Sequence, residues 1–224
     1  MLDWNSLNLP THFLVHQLHY AALLFMIAAY AIKVRQLLAK PPALEGTPAR
    51  GNHGRGIRYS YTLLATPWEM ESQRKHWFRY LEFALFHLCM AVAIGVAFVM
   101  PWGHQALATP AAVLALQGVF GLATLLGVSR LVRRVANPIV RLVSSPDDYF
   151  CVLLLTAWVA SGVLAVQQTS EFWLVTYFSL ATFFLFYVPF SKISHYVYWF
   201  FVRYYVGKHL GHRGVFPVQR VQST

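Results

Sequence analysis

The positions of the basic residues constrain this chain more than any other feature. Five stretches are apolar and long enough to cross a bilayer as helices, since about 20 apolar residues span the hydrocarbon at 1.5 Å per residue. These stretches are residues 12–35, 78–100, 110–130, 149–167 and 172–200. The 18 Lys and Arg residues all lie near one set of connections. Nine lie between the first two stretches or in their facing ends, four lie between the third and fourth or in the end of the third, and five lie in the C-terminal section from Lys192 onwards. The N-terminal tail and the two remaining turns contain none.

Lys and Arg are retained on the cytoplasmic side during membrane insertion, so this pattern predicts an N-terminus outside and a C-terminus in the cytoplasm. The expected fold class is therefore all-α integral membrane, a five-transmembrane-helix bundle that forms a single domain over residues 1–224. Residues 39–76 form a cytoplasmic loop and residues 201–224 a cytoplasmic tail. No internal repeat is visible, which argues against a secondary transporter built from inverted halves.

Composition agrees with a membrane domain. Hydrophobic residues make up 57% of the chain, and its first residues lack the positive region of a cleavable signal peptide. The formal net charge is +10, but the basic residues flank spans. There they orient helices and meet anionic lipid, so we expect membrane lipid and no nucleic acid as a partner. Cys89 and Cys151 lie in different spans without the spacing of a zinc or iron–sulfur site, which favours two buried apolar residues.

Three segments carry local signals. Residues 40–56 are rich in Pro and Gly, which predicts irregular structure. Thr66-Pro67-Trp68-Glu69 predicts a helix start that leads into the second span, because a Thr cap, a Pro at the first position and an acidic first turn are typical of helix N-termini. Ser145-Pro146-Asp147-Asp148 predicts another start before the fourth span.

Three of the ten histidines lie at the outer end of the first span. His12, His16 and His19 are spaced by four and three residues, which predicts that they share one helical face. One interpretation is a polar face at the membrane interface. The other is a site that handles protons or contacts a quinone, since histidine titrates near neutrality.

His87 and His195 lie in or beside apolar spans, and the topology places both in the cytoplasmic half. An ionisable group in a span is costly unless it is paired or ligated. Neutral imidazole is a good axial ligand for haem iron, and two from facing helices would complete a b-type site. The alternative is a histidine hydrogen-bonded to a neighbouring helix. No Cys-x-x-Cys-His sequence occurs, so covalent haem attachment is excluded.

The string Val188-Pro189-Phe190-Ser191-Lys192-Ile193-Ser194-His195 resembles the Pro-Phe-Ser-[Arg/Lys]-x-x-His end of the last span in the respiratory nitrate reductase gamma subunit family. Phe86-His87 resembles that family's cytoplasm-side haem ligand on the second span. The resemblance covers most of the chain from about residue 77. It implies five spans with the N-terminus outside, haem b between the second and fifth spans, and a multi-pass location in the prokaryotic cytoplasmic (inner) membrane.

Two further segments resemble one branch of that family. Ser144-Ser145-Pro146-Asp147-Asp148-Tyr149 and the tail at 207–215 are similar to the membrane cytochrome of the dissimilatory sulfite-reductase-linked complex and to the heterodisulfide reductase membrane subunit. This resemblance implies a cytoplasmic iron–sulfur partner of the heterodisulfide-reductase type. It also allows other membrane or periplasmic cytochrome subunits as partners.

The chain departs from the family where dihaem members carry the two ligands of an outer haem. Those positions hold Ala97 and Tyr177 here. The resemblance therefore implies one haem b near the cytoplasmic face, with His87 and His195 as the iron ligands. A compensating ligand from His16 or His19 is the alternative. The same two histidines are the candidate quinone contacts.

These observations predict a b-type cytochrome that carries electrons between the quinone pool and a cytoplasmic iron–sulfur subunit. Such a chain is the electron-transfer subunit of an oxidoreductase complex rather than an independent catalyst. The rival prediction is a haem-free membrane scaffold, which would have no need for imidazoles on two separate spans. A transporter is a more distant alternative, because broken helices or repeats are expected there.

Overall fold

The computed structural model describes residues 2, 4, 7–41, 45–63 and 65–218, with the backbone alone at Ser72. Every regular element in these residues is helical. Parts of the predicted loop (residues 42–44 and 64) and the end of the predicted tail (residues 219–224) lie outside the described residues. The α-helices are α1 Leu9–Phe13, α2 His19–Leu38, α3 His53–Thr62, α4 Glu71–Lys75, α5 Trp77–Leu107, α6 Pro110–Ala136, α7 Pro138–Leu142, α8 Pro146–Ala165, α9 Glu171–Tyr187 and α10 His195–His212.

Five helical segments of the described chain are long and apolar enough to cross a membrane, which confirms the predicted number of spans. The first combines α1, a π-helical turn at Leu14–Leu18 and α2; the next three are α5, α6 and α8; the fifth is α9 with the 3₁₀ turn that follows it. Their bounds are Leu9–Leu38, Trp77–Leu107, Pro110–Ala136, Pro146–Ala165 and Glu171–Phe190.

The chain divides into two compact units. The first, the span unit, comprises Met1–Arg35 and Glu82–Ile193 and holds most of the five spans. The second, the loop–tail unit, comprises Gln36–Leu81 and Ser194–Thr224. The prediction of a single membrane domain stays a prediction.

Small residues let helices approach closely in the span unit. Helix α6 packs along α8, and α8 packs along α9. A Cβ added at Gly162 would lie 2.5 Å from a ring carbon of Phe120, closer than real Cβ atoms come to a neighbour. Gly127 of α6 fits against Thr156 of α8 in the same way. Small residues at such crossings are typical of membrane helices, which associate through close packing because lipid supplies no hydrophobic driving force.

The loop–tail unit contains a helix where the sequence predicted irregular structure. Helix α3 begins at His53, with the Asn52 side chain accepting a hydrogen bond from the Arg55 amide as an N-cap. Its glycine Gly56 lies directly against the backbone of Gly207 and Gly211 in α10. The prediction for residues 53–56 was wrong because the glycines serve a close helix crossing rather than a flexible loop.

The two predicted helix starts have different outcomes. At Ser145 the start is confirmed: the Asp148 carboxylate accepts hydrogen bonds from the Ser145 amide and hydroxyl, both at 2.8 Å. The start at Thr66 is only one turn, the 3₁₀ segment Pro67–Glu69, and α4 follows it. The backbone then breaks at His76, where φ is −127° and ψ is 40°, before α5 begins.

The fifth span ends earlier than the predicted residue 200, and the second extends past the predicted residue 100. After α9, 3₁₀ turns at Val188–Phe190 and Lys192–Ser194 separate the span from α10. Pro189 lacks an amide hydrogen and Ser191 is extended, so an α-helix cannot continue through this segment. Helix α5 instead passes through Pro101 and ends at Leu107, with non-helical angles at Gly103.

Candidate functional site

His87 lies in α5 within the span unit and is half-buried. Its Nδ1 lies 2.8 Å from the carbonyl oxygen of Phe83, one turn earlier. A carbonyl oxygen only accepts hydrogen bonds, so Nδ1 carries the proton and Nε2 of the neutral ring carries the lone pair. A histidine that ligates a metal is commonly oriented in this manner, with its other ring nitrogen donating to a backbone carbonyl.

Small residues lie on the same face of α5 as His87. Ala84, Ala91 and Gly95 fall within a narrow stripe of the helix at a spacing of 3.6 residues per turn. Ala91 and Gly95 are exposed, and a Cβ added at Gly95 would have no atom within 4 Å. The stripe therefore leaves room beside the imidazole for a flat macrocycle, and the residues present fit a haem ligated by His87.

His195 is the first residue of α10 and belongs to the loop–tail unit. Its side chain is exposed, and the preceding Ser194 is buried. The candidate ligand thus lies at the start of a separate helix, immediately after the 3₁₀ turns, rather than inside a continuous fifth span. Because His87 and His195 belong to different units, their joint ligation of one haem stays a prediction.

The positions of the family's outer ligands are tightly packed. Ala97 is 2% exposed and Tyr177 is fully buried. The Tyr177 hydroxyl donates a hydrogen bond to the Ala93 carbonyl at 3.0 Å, and its ring stacks on Trp158 with centroids 5.6 Å apart. Phe120 packs edge-on against the same ring. Ala97 has no ligand atom, and the hydroxyl of Tyr177 is engaged, so these side chains do not fit the binding of an outer haem.

The three histidines of the first span do not act as one group. His12 and His16 lie together, with ring centroids 4.6 Å apart, and the His16 ring contacts Trp102 edge-on at 5.1 Å. His19 is buried, at 1% exposure, and its Nδ1 lies 3.2 Å from the Thr182 hydroxyl oxygen. His16 lies within the π-helical turn Leu14–Leu18 and His19 directly follows it, so the wider turn changes the angle between the two side chains from that of an α-helix.

The surroundings of His19 are aromatic. Its ring lies 5.2 Å from the Phe98 ring and 5.4 Å from the Phe178 ring, measured between centroids. These residues directly follow Ala97 and Tyr177, the positions of the two missing outer ligands. The Nε2 atom of His19 is buried and has no hydrogen-bond partner. An unsatisfied polar nitrogen of this kind costs roughly 1–3 kcal/mol, which makes it a candidate contact for a ligand.

Polar contacts hold the basic ends of the spans in place. The Arg130 guanidinium lies 4.2 Å from the centroid of the Phe86 ring, which precedes His87. Glu82 accepts a hydrogen bond from Ser129 at 3.0 Å and lies 3.9 Å from Arg133. These contacts join the start of α5 to the end of α6 beside the candidate haem ligand.

A second polar cluster lies where α8 begins. The Tyr187 hydroxyl donates to the Asp147 carboxylate, and the Cys151 thiol lies 3.4 Å from the same hydroxyl. Lys192 donates to Asp148 and to Ser145, each at 2.8 Å. The cluster fixes the last turn of the fifth span and the 3₁₀ turns that precede His195.

Some of these features had no signal in the sequence. Thr182 contacts His19, which is far away in the chain, and nothing in the sequence indicates the π-helical turn. The stripe of Ala84, Ala91 and Gly95 could have been found from its spacing. Among the residues that the structure describes, no three His, Cys, Asp or Glu side chains are placed to bind a bare metal ion.

Comparison with known families gives one match. The family model described as nitrate reductase gamma subunit matches residues 57–181, which is more than half of the 224 residues. The matched segment contains His87, Ala97 and Tyr177, and it ends before His195 and begins after His19. Comparisons with curated proteins and with solved structures give no match.

Proposed function

This chain belongs to the nitrate reductase gamma subunit family, whose members are membrane cytochrome b subunits of redox complexes, and we propose that it carries electrons between the quinone pool and a cytoplasmic iron–sulfur subunit through one haem b. The observation that carries the proposal is His87, which lies within the matched segment beside an exposed stripe of small residues. Its Nδ1–H is held by the Phe83 carbonyl, so its lone pair is on Nε2.

His87 and His195 would hold the haem, and its iron would supply one-electron chemistry. The hydrogen bond from His87 Nδ1 to the Phe83 carbonyl orients the ring and raises the basicity of Nε2. Ala84, Ala91 and Gly95 would leave room for the macrocycle beside His87. The chain's part is to bind, orient and bury the group and so to tune its potential.

The orientation follows from the basic residues. The N-terminus lies outside and the C-terminus in the cytoplasm, in a prokaryotic inner membrane. Lys33, Arg130, Arg134 and Lys192 of the span unit then lie at cytoplasmic span ends. The haem at His87 lies near that face, within reach of a cytoplasmic partner.

The count of one haem is supported by the outer positions. Ala97 offers no ligand, and Tyr177 is packed between Trp158 and Phe120 with its hydroxyl engaged. A second porphyrin would have to displace this aromatic cluster. Quinone or quinol is the membrane substrate, and its headgroup binds near the first-span histidines His16 and His19.

The proposed partner is an iron–sulfur subunit of the heterodisulfide-reductase type. The resemblance of residues 144–149 and 207–215 to the sulfur-metabolism branch of the family supports this choice. Membrane or periplasmic cytochrome subunits are further partners. The docking surface consists of basic side chains of the loop–tail unit, carried by α3 and α10. Close packing of Gly56 against Gly207 and Gly211 holds these two helices together as one structural element.

The rival is a haem-free scaffold subunit, and a reduced-minus-oxidised spectrum with haem quantification separates the two. The proposal predicts one haem b for each chain in purified, folded protein. Folded protein without haem would support the scaffold function instead. Two haems for each chain would contradict the proposal that the outer haem site is lost at Ala97 and Tyr177. Protease access to the loop in sealed vesicles measures the orientation of the chain. A C-terminal tail on the outside would contradict the proposal of a cytoplasmic partner.

A further inference from the structure

His19 differs from the other histidines of its span because it is buried and only one of its two ring nitrogens has a hydrogen-bond partner. Its Nδ1 has the Thr182 hydroxyl as partner at 3.2 Å, and its Nε2 has none. The ring is 1% exposed and lies in the span unit, where water is scarce. A π-helical turn precedes it directly, and such turns occur frequently at functional sites. Two independent features, the orphan nitrogen and the irregular turn, thus coincide at one residue.

The chemistry of the free nitrogen defines what it would bind. The Thr182 hydroxyl can donate its proton to Nδ1, and Nε2 then carries the N–H of the neutral ring. Such a nitrogen binds a small neutral acceptor whose remaining surface is apolar, because the surrounding groups are the rings of Phe98 and Phe178. A quinone carbonyl or a quinol hydroxyl on an aromatic headgroup has both properties.

We propose that His19 binds the headgroup of a quinone or quinol through Nε2, with Thr182 holding the ring in the donating tautomer. The inference rests on the proposed function, in which the chain exchanges electrons with the quinone pool. It narrows the two candidate histidines to one. His16 packs against His12 and Trp102 instead, so it belongs to the outer interface of the span.

The headgroup reaches His19 from the lipid side of α5. Phe98 is the half-exposed member of the aromatic pair around His19, whereas Phe178 is fully buried. One turn before Phe98, Gly95 is exposed and has open space where a side chain would stand. Of these two rings, Phe98 is the one on the exposed side, so the headgroup approaches His19 past Phe98.

The same stripe of α5 connects this site with the haem site. Phe98 follows His87 by eleven residues, which is about 16 Å of helical rise. His87, Ala91, Gly95 and Phe98 lie on one side of the helix at a spacing of 3.6 residues per turn. The quinone headgroup and the haem are thus neighbours along one helix face.

A second haem ligated by His19 is less well supported. Iron requires the lone pair of Nε2, whereas the donating tautomer has a proton there. At the positions of the missing outer ligands, Tyr177 packs against Trp158 and Phe120. A headgroup of one or two rings is much smaller than a porphyrin and would displace fewer side chains.

The test is a binding titration on the purified full chain. The probe is 2-heptyl-4-hydroxyquinoline N-oxide, a quinol analogue whose fluorescence is quenched on binding, and haem content is measured in every sample. His19→Phe keeps a ring of similar shape and removes the hydrogen bond, so binding should weaken about tenfold. His19→Gln keeps a donor and should recover most of this loss. His16→Phe is the matched control and should bind as the unaltered protein does.

Two further variants test the site without changing His19. Gly95→Leu narrows the lipid-side approach and should weaken binding, whereas Gly118→Leu places the same side chain in open space on α6 and should not. Because Gly95 also belongs to the stripe assigned to the haem, the comparison is made on samples with unchanged haem content. Thr182→Val removes the group that fixes the tautomer and should weaken binding about threefold. These variants keep the inference testable if His19→Phe fails to fold.

The outcomes separate the two proposals. If the variants at His19, Gly95 and Thr182 have normal haem content and unchanged probe affinity, the quinone site is overturned and the cytochrome proposal stands. Probe binding that depends on His19 in a chain without haem supports the site and overturns the electron-transfer proposal. Loss of haem in His19→Phe, with His19→Gln also lacking it, would identify His19 as an iron ligand and overturn the inference.

Discussion

Lys192 donates a hydrogen bond to Asp148 at 2.8 Å across 44 residues of chain. The same ammonium donates to the Ser145 hydroxyl, which itself bonds Asp148. The contact joins the start of the fourth span to the turn after the fifth. Since Lys192 lies three residues before His195, this ion pair fixes the chain just before the proposed haem ligand.

Loss of either partner should affect the haem more than the fold. An ion pair near the surface contributes roughly 0–1 kcal/mol, so Lys192→Met and Asp148→Asn should leave the protein folded. We expect both to change the haem's midpoint potential and absorbance maximum in the same direction, with no additional change in the double variant. Redox titration with visible spectra measures this. Lys75→Met, which breaks the exposed pair with Glu71, is the matched control. Additive effects of the two changes would contradict the coupling.

Tyr177 should be important for stability. Tyr177→Ala leaves a cavity between Trp158 and Phe120 and should lower the free energy of unfolding by about 3–5 kcal/mol, as for large buried aromatic residues. Tyr177→Phe loses only the hydrogen bond to the Ala93 carbonyl and should cost about 1 kcal/mol. Reversible unfolding in mixed micelles measures both. A cost below 1 kcal/mol for Tyr177→Ala would show that the aromatic cluster is not packed as described.

The crossing of α3 and α10 should tolerate no side chain at its centre. A Cβ at Gly56 would overlap the backbone of Gly207 and Gly211, which cannot move without parting the helices. Gly56→Ala should therefore destabilise the loop–tail unit by at least about 2 kcal/mol. Gly54→Ala, in the same helix but with only the Asn52 side chain nearby at 3.4 Å, should be neutral or stabilising. Hydrogen exchange of the α3 and α10 amides distinguishes the two; equal protection would contradict the crossing.

Acid should loosen the loop–tail unit through Glu45. Hydrogen bonds from Thr47 and then Arg213 lower the pKa of the Glu45 carboxyl from 4.5 to about 2. The folded pKa lies below the unfolded one, so this stabilisation is full above about pH 4.5 and is lost as pH falls through about 2. Glu45→Gln should increase proteolysis of the unit at neutral pH, with the difference vanishing in strong acid. A pH-independent difference would contradict the assignment.

The sequence predicted what depends on local chemistry and on the membrane. The five spans follow from hydropathy and length, and the start at Ser145 follows from residues within one helical turn. The choice of His87 as a candidate haem ligand also rests on a local signal, the cost of a polar group among apolar residues, and it stays a prediction. Each of these signals is contained in a short stretch, so each could be read without knowledge of the fold.

The remaining features depend on contacts between distant residues. In the sequence, Gly56 indicates a loop. In the structure it lies in a helix that packs against Gly207 and Gly211 of α10, which are distant in the chain. The end of the fifth span at Phe190 depends on Pro189 and the extended Ser191, with Lys33 bonding the Pro189 carbonyl. The different surroundings of His16 and His19 involve the π-helical turn Leu14–Leu18, for which the sequence carries no signal.

The most direct test of the account is haem quantification by pyridine haemochrome in four purified proteins: the unaltered chain, His87→Ala, His195→Ala and the control His12→Ala. The account predicts one haem b for each chain in the unaltered protein and the control, and none in either ligand variant while the protein remains folded. Retention of haem in folded His87→Ala or His195→Ala would contradict the ligand assignment and the electron-transfer role built on it.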